Sequence, residues 1–152
     1  MLYNNVEQKD IDHFESVVGK RFVNANPAVV ASYLAKSVMG LESCIGEVVV
    51  RPRYTDEVRK ILIWCSDRRI PVSPLAAGLS GGFACPLTKP SGVVLDMSRM
   101  DRIIEIDEKN RYAIIEPGVT NGELWAYMAK NHADWIPPIA DGAPPAATVL
   151  GD

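Results

Sequence analysis

The stretch from Gly46 to Val72, GEVVVRPRYTDEVRKILIWCSDRRIPV, decides the fold class. Val48 to Val50 form a short β-branched run of the kind that suits a buried strand, and Pro52 ends it because proline cannot donate to a sheet ladder. Thr55 is positioned to cap a helix in which Val58, Ile61, Leu62 and Cys65 share one face. Asp56, Glu57, Arg59, Lys60 and Asp67 of that helix largely face water. Ile70-Pro71-Val72 reads as a second short strand. Strand, helix and strand in this order make the unit that joins parallel strands by a crossover.

The next stretch is SPLAAGLSGGFACP, Ser73 to Pro86, which carries no charge over fourteen residues and holds three glycines within five positions. Clustered glycine marks backbone in conformations that other residues avoid, or backbone that a ligand approaches closely. The stretch lies at the carboxyl end of the second strand, where open α/β sheets hold their ligands. Successive amides in such a turn can converge on an anion without help from Lys or Arg. The bland alternative is a tight loop that only joins two layers.

Upstream, Glu7 to Gly19 places Ile11, Phe14, Val17 and Val18 at helical spacing, with Gly19 as a stop, and a second helix is expected from Pro27 to Ser37. Downstream, the segments Gly92–Met97, Arg102–Asp107 and Tyr112–Pro117 are short and β-rich, and the last two read as an antiparallel hairpin around Glu108-Lys109-Asn110. Thr120-Asn121-Gly122-Glu123 matches a capping box opening a helix with Leu124 and Met128 inward. The expectation is an α+β chain, a small β-α-β layer followed by an incomplete, mainly antiparallel sheet. Its three segments are residues 1–45, mainly helical, residues 46–90 and residues 91–152.

Bulk properties narrow the functional classes. The chain has 152 residues, 47% of them hydrophobic and 23% charged, which suits one packed unit and excludes a disordered chain. A net charge of -3 with no Lys/Arg run argues against nucleic-acid binding. No run approaches the length that spans a bilayer and the start lacks a secretory pattern, so the expected compartment is the cytoplasm. Cys44, Cys65 and Cys85 are odd in number and widely spaced, which fits free thiols better than a disulfide framework or a zinc site.

No catalytic residue or metal ligand is assigned. Histidine occurs only at His13 and His132, each inside or at the end of an amphipathic helix, and no cluster has ligand spacing. Gly78-Leu79-Ser80-Gly81-Gly82 satisfies the spacing of a nucleophile elbow, but Phe83 to Pro90 contains two prolines and opens no helix, as that motif requires. The P-loop and the Gly-x-Gly-x-x-Gly fingerprint are both absent.

The order of four strings carries a further signal: EVVVRPRYTDEVRKIL, RRIPVSPLAAGLSGGFACPL, GVVLDMSRMDRIIEIDEKNRYAIIEPGVTNGELWAYM and PPAATVLGD. It resembles the first part of the FAD-binding domain of the vanillyl-alcohol oxidase and p-cresol methylhydroxylase (PCMH-type) family, which includes glycolate oxidase subunits and D-lactate dehydrogenases. The resemblance implies two α+β subdomains with FAD between them, residues 46–90 forming the first and residues 91–152 part of the second. It implies that Leu75, Ala76, Ala77, Gly78, Leu79, Ser80, Gly81 and Gly82 offer amides to the FAD pyrophosphate, the Ser80 hydroxyl being a further donor. Pro117, Gly118 and Val119 would lie near the flavin or its ribityl chain, and Ala146 to Asp152, with Gly151, would open a second cofactor loop. The implied activity is oxidation of an alcohol, phenol or 2-hydroxy acid. A second polypeptide is expected to complete the cofactor and substrate domains. The alternative is a non-catalytic structural or assembly subunit with a degenerate FAD fold, suggested by Leu75-Ala76-Ala77 and Asp152 where the family favours glycines and asparagine.

Overall fold

The computed structural model describes residues 3–33, 46–76, 92–137 and 143–150. In chain order the elements are α1 (Gln8–Val18), a 3₁₀ turn (Lys20–Phe22), β1 (Val23–Asn24), α2 (Pro27–Ser32), β2 (Val48–Val50), α3 (Thr55–Asp67), β3 (Val72–Leu75), β4 (Val93–Asp96), β5 (Ile103–Asp107), β6 (Tyr112–Ile115) and α4 (Asn121–Asn131). They form a four-stranded sheet, ordered β1-β2-β4-β3, and a separate β5-β6 hairpin. The expected α+β class with a β-α-β unit and an open, incomplete second sheet is what the chain adopts.

Strand alternation divides the first lobe into two cores. Val48, Val50, Val93 and Leu95 face α1 and α3, where they pack with Phe14, Val18, Ile61, Cys65 and Ile70. Val49 and Val94, on the opposite face, meet Val30 of α2, Tyr33 and Leu75. Burial on both faces explains why β2 and β4 are continuous apolar runs, as parallel strands usually are. In the second lobe α4 lays Leu124 and Met128 on the hairpin together with Val119.

Several local expectations are corrected. The largest concerns Gly92–Met97, expected to lead a three-part meander: β4 instead lies between β2 and β3, parallel to both, with Val93 opposite Val48 on one side and Val72 on the other. Apolar composition identifies such a strand but is silent on which neighbour it takes. The strand expected at Ile70–Val72 runs from Val72 to Leu75; Ile70 precedes it as a buried core residue. Thr55 is the first helical residue of α3 and Tyr54 occupies the cap position, its amide and that of Arg53 meeting the Glu57 carboxylate. Leu62 is exposed, and Val58 and Trp64 flank the buried Ile61 and Cys65 instead. Two-residue β1, pairing antiparallel with β2, has too little pattern to be read from sequence.

An anchor absent from the apolar pattern joins α1 to α3. Asp10 is fully buried, accepts from Trp64 Nε1 at 2.9 Å and from the Glu7 amide at 2.8 Å, and pairs with Arg68. Burial pushes its pKa up, but the Glu7 amide, Trp64 and Arg68 outweigh that and hold the carboxyl below its ordinary value.

Candidate functional site

Strands β2, β3 and β4 are parallel, so Val50, Leu75 and Asp96 end at one edge of the sheet. Leu75 and Ala76, the first residues of the expected cofactor loop, stand there half-buried, Leu75 opposite Asp96. Ala77, Gly78, Leu79, Ser80, Gly81 and Gly82 lie outside the described residues, as do Gly151, Cys44 and Cys85.

The turn after β4 bridges this edge to the second lobe. The Met97 amide donates to the Leu75 carbonyl at 2.8 Å, and the Gly118 amide donates to the Met100 carbonyl at 2.7 Å. Gly118 packs so closely on this turn that a Cβ there would lie 2.7–2.9 Å from the carbonyl oxygens of Met97, Ser98 and Met100. Val119 continues the connection: its amide donates to the Glu116 carbonyl and its own carbonyl accepts from Val149. Leu75, Ala76, Pro117, Gly118, Val119 and the final described segment thus share one continuous piece of architecture.

That final segment is held by the start of α4. Asn121 and Gly122 amides donate to the Ala147 and Pro145 carbonyls at 2.8 Å each, Thr120 and Thr148 form an antiparallel bridge, and Ala147 is fully buried. The capping box at Thr120 and Glu123 is formed as expected. It fixes the helix end on which residues 144–149 rest.

The burial of the predicted residues separates two roles. Pro117 is half-buried, whereas the Val119 side chain is fully buried against Leu124 and Met128. The Val119 side chain supports the turn from inside the hairpin core. The Gly118 and Val119 amides are committed to protein carbonyls, so neither is offered to a ligand.

Electrostatics at the sheet edge suit an anion. Asp96 is 5% exposed and its carboxylate meets Tyr33 Oη at 2.8 Å, Arg51 Nε at 3.0 Å and the Ser98 amide at 2.9 Å. Its negative charge is thereby offset by the Arg51 guanidinium at the carboxyl end of the strands. Burial and the Asp96 partnership push the Tyr33 phenol up to about 12, so it acts as a hydrogen-bond donor and not as a base near neutrality. Sequence reasoning missed Tyr33 and Asp96 because a buried polar pair leaves no periodic trace.

Of the residues set aside as nucleophile, base or metal ligand, the described ones make contacts within the fold. His13 stacks on Trp64 at 3.9 Å, and His132 at the end of α4 pairs with Glu108. Cys65 is buried, and burial pushes its thiol up to about 12. Among the described residues no cluster of His, Cys, Asp and Glu is grouped to hold a metal, and no helix is long and apolar enough to cross a membrane.

Residues 46–151 match the family model described as FAD binding domain. The chain is 44% identical over 75 residues to glycolate oxidase subunit GlcD of Bacillus subtilis (strain 168), an alignment covering 48% of this chain and 15% of that protein. With the 4-cresol dehydrogenase flavoprotein subunit of Pseudomonas putida it shares 33% identity over 79 residues, 51% of this chain and 15% of the relative. Its fold superposes on 4-ethylphenol oxidase from Gulosibacter chungangensis with a TM-score of 0.84 and 26% identity, covering 99% of this chain and 30% of that one. The chain therefore spans a minor fraction of the length of these proteins.

Proposed function

The chain belongs to the FAD binding domain family, and from that premise we propose that it is the cofactor-holding portion of an oxidoreductase acting on an alcohol, a phenol or a 2-hydroxy acid. The reading is carried by one observation, the family match across residues 46–151, which takes in both cofactor-loop segments. Its cofactor is FAD, which when bound supplies hydride chemistry while the protein supplies binding and orientation.

The residues at the sheet edge fit a diphosphate in two respects. Asp96, opposite Leu75, is charge-paired by Arg51 and hydrogen-bonded by Tyr33, and the loop starts at the carboxyl end of a parallel strand. Leu75, Ala76, Ala77, Gly78, Leu79, Gly81 and Gly82 would present backbone amides to the phosphates, and Ser80 its hydroxyl. Gly151 would contribute from the second segment, Pro117 would border the flavin side, and Gly118 and Val119 would hold the turn beneath. The chain works together with a partner subunit, a reading supported by the Bacillus and Pseudomonas relatives being subunits.

The test is co-purification of the chain with its partner, followed by release and identification of the bound flavin. Gly81→Val is expected to abolish flavin retention with circular dichroism unchanged, because the added side chain occupies the space the phosphates need. Full flavin retention in that variant would overturn the assignment of the loop. A complete assembly that binds no FAD would favour a structural subunit.

A further inference from the structure

A group of arginines gathers where β2 ends, on the side of the sheet edge away from β3. Arg99 reaches across from the turn after β4: its Nη1 donates to the Arg51 carbonyl at 2.6 Å, and its guanidinium carbon lies 3.3 Å from the Phe22 ring centroid. Arg21 lies over the same ring at 4.5 Å. Two guanidinium groups share one aromatic ring. Arg99 is half-buried, and its pKa is pulled down by burial, raised by Glu57, and pulled down again by Arg53, Arg51 and Arg21. The shared Phe22 ring and the Arg51 carbonyl bring Arg99, Arg51 and Arg21 together, and Arg53 follows Arg51 by two residues at the same strand end.

Of the carboxylates near this group, Asp96 offsets one of its members, Arg51, and Glu57 attracts Arg99 from nearby, which leaves Arg21, Arg53 and Arg99 without an ion pair among the described residues. Asp96 pairs with Arg51 and Tyr33, Glu116 with Arg102 at 2.6 Å, and Glu57 accepts from the Arg53 and Tyr54 amides. Among the described residues no carboxylate forms an ion pair with Arg99. The Ser98 hydroxyl, 3.3 Å from Arg51 Nη2, adds a neutral polar group at the same place. Crowded like charges raise the energy of the free protein, and a bound anion would relieve that cost. A guanidinium pinned by a carbonyl and a ring is already oriented, so it binds an anion with little further loss of entropy. The local excess of positive charge stands out in a chain whose net charge is -3.

We propose that Arg99, with Arg53, Arg51 and Arg21 around it, forms a binding site for a phosphate-class anion at the carboxyl end of β2, separate from the loop that follows β3. The occupant is either a free phosphate or the phosphoryl group of a larger molecule other than FAD, whose phosphates are assigned to the loop after β3.

The experiment titrates the full chain with inorganic phosphate at constant ionic strength, using sulfate-free buffer and observing the phosphorus resonance. Saturable binding is expected, weakened about tenfold in Arg99→Gln, the scale of one charged hydrogen bond. Arg53→Gln, an exposed position whose loss leaves the Phe22 packing alone, is expected to weaken it about threefold through charge. This second variant keeps the test decisive if Arg99→Gln does not fold. Binding that is unsaturable in the wild type, or equal in the wild type and the folded variants, overturns the site. Repeating the titration with FAD present tests the separateness: additive binding is expected, and competition by FAD would overturn a site distinct from the cofactor's. Phosphate binding that Arg53→Gln weakens in a chain that takes up no FAD, even with its partner, supports this site while ending the flavin reading.

Discussion

A Cβ at position 118 would stand 2.7 Å from the Met100 carbonyl oxygen, 2.8 Å from that of Met97 and 2.9 Å from that of Ser98. All three neighbours are backbone, so the clash cannot be relieved by turning a side chain. Gly118→Ala is expected to destabilise the chain by about 1–3 kcal/mol, the usual cost of overpacking, as measured by urea unfolding. Gly118 was marked in the sequence as a residue near a cofactor; the structure gives it a nearer reason to be glycine, the contact of two turns. Thr120 and Glu123 were fully legible, since a capping box needs only spacing. Asp10, Tyr33 and Asp96 were not legible, because their partners lie 54, 63 and 45 residues away, and no local pattern encodes such pairs.

Among the elements, α4 carries the clearest dependence of one segment on another. The Thr120 hydroxyl accepts from the Glu123 amide at 3.2 Å, and Thr120 also bridges to Thr148. Loss of the cap in Thr120→Ala is expected to cost about 1 kcal/mol in denaturant unfolding. Because residues 144–149 rest on this helix start, hydrogen exchange at the Ala147 and Val149 amides is expected to quicken as well; unchanged exchange would show that the segment is held independently of the cap. Strand and helix positions were readable here to within a few residues, since burial on one or both faces leaves a period in the sequence. Strand ends were less readable: Pro74 sits inside β3 at the sheet edge, where its missing donor is tolerated, so proline is a poor guide to where that strand stops.

For the molecule as a whole, the two buried carboxyls among the depressed ones, one in each lobe, bear most on the response to acid. Asp10 joins α1 to α3, and Glu116, 5% exposed, grips Arg102 beside the hairpin. The Glu116 pKa is lowered mainly by the Arg102 hydrogen bond, against the opposing effect of burial. Since both folded values lie below the unfolded ones, their contribution is complete above the unfolded carboxyl range, near pH 4, and is lost as pH falls through the folded values. Stability measured from pH 6 downward is expected to stay level until about pH 4 and then fall. In Glu116→Gln that acid slope is expected to be shallower, with lower stability at pH 6; an unchanged slope would mean the pair contributes nothing.

The class was legible because it follows from segment order. The pairing β2-β4-β3 was not, because strand adjacency is settled by competition among distant parts of the chain. That pairing has a consequence for synthesis. A nascent chain that has left the ribosome only as far as residue 90 holds the first and second parallel strands with their central partner still unmade. Their hydrogen-bonding edges stay open for that interval, and the lobe snaps shut only when Val93 to Asp96 emerge, so a pause in translation between those points is when the polypeptide most needs a chaperone.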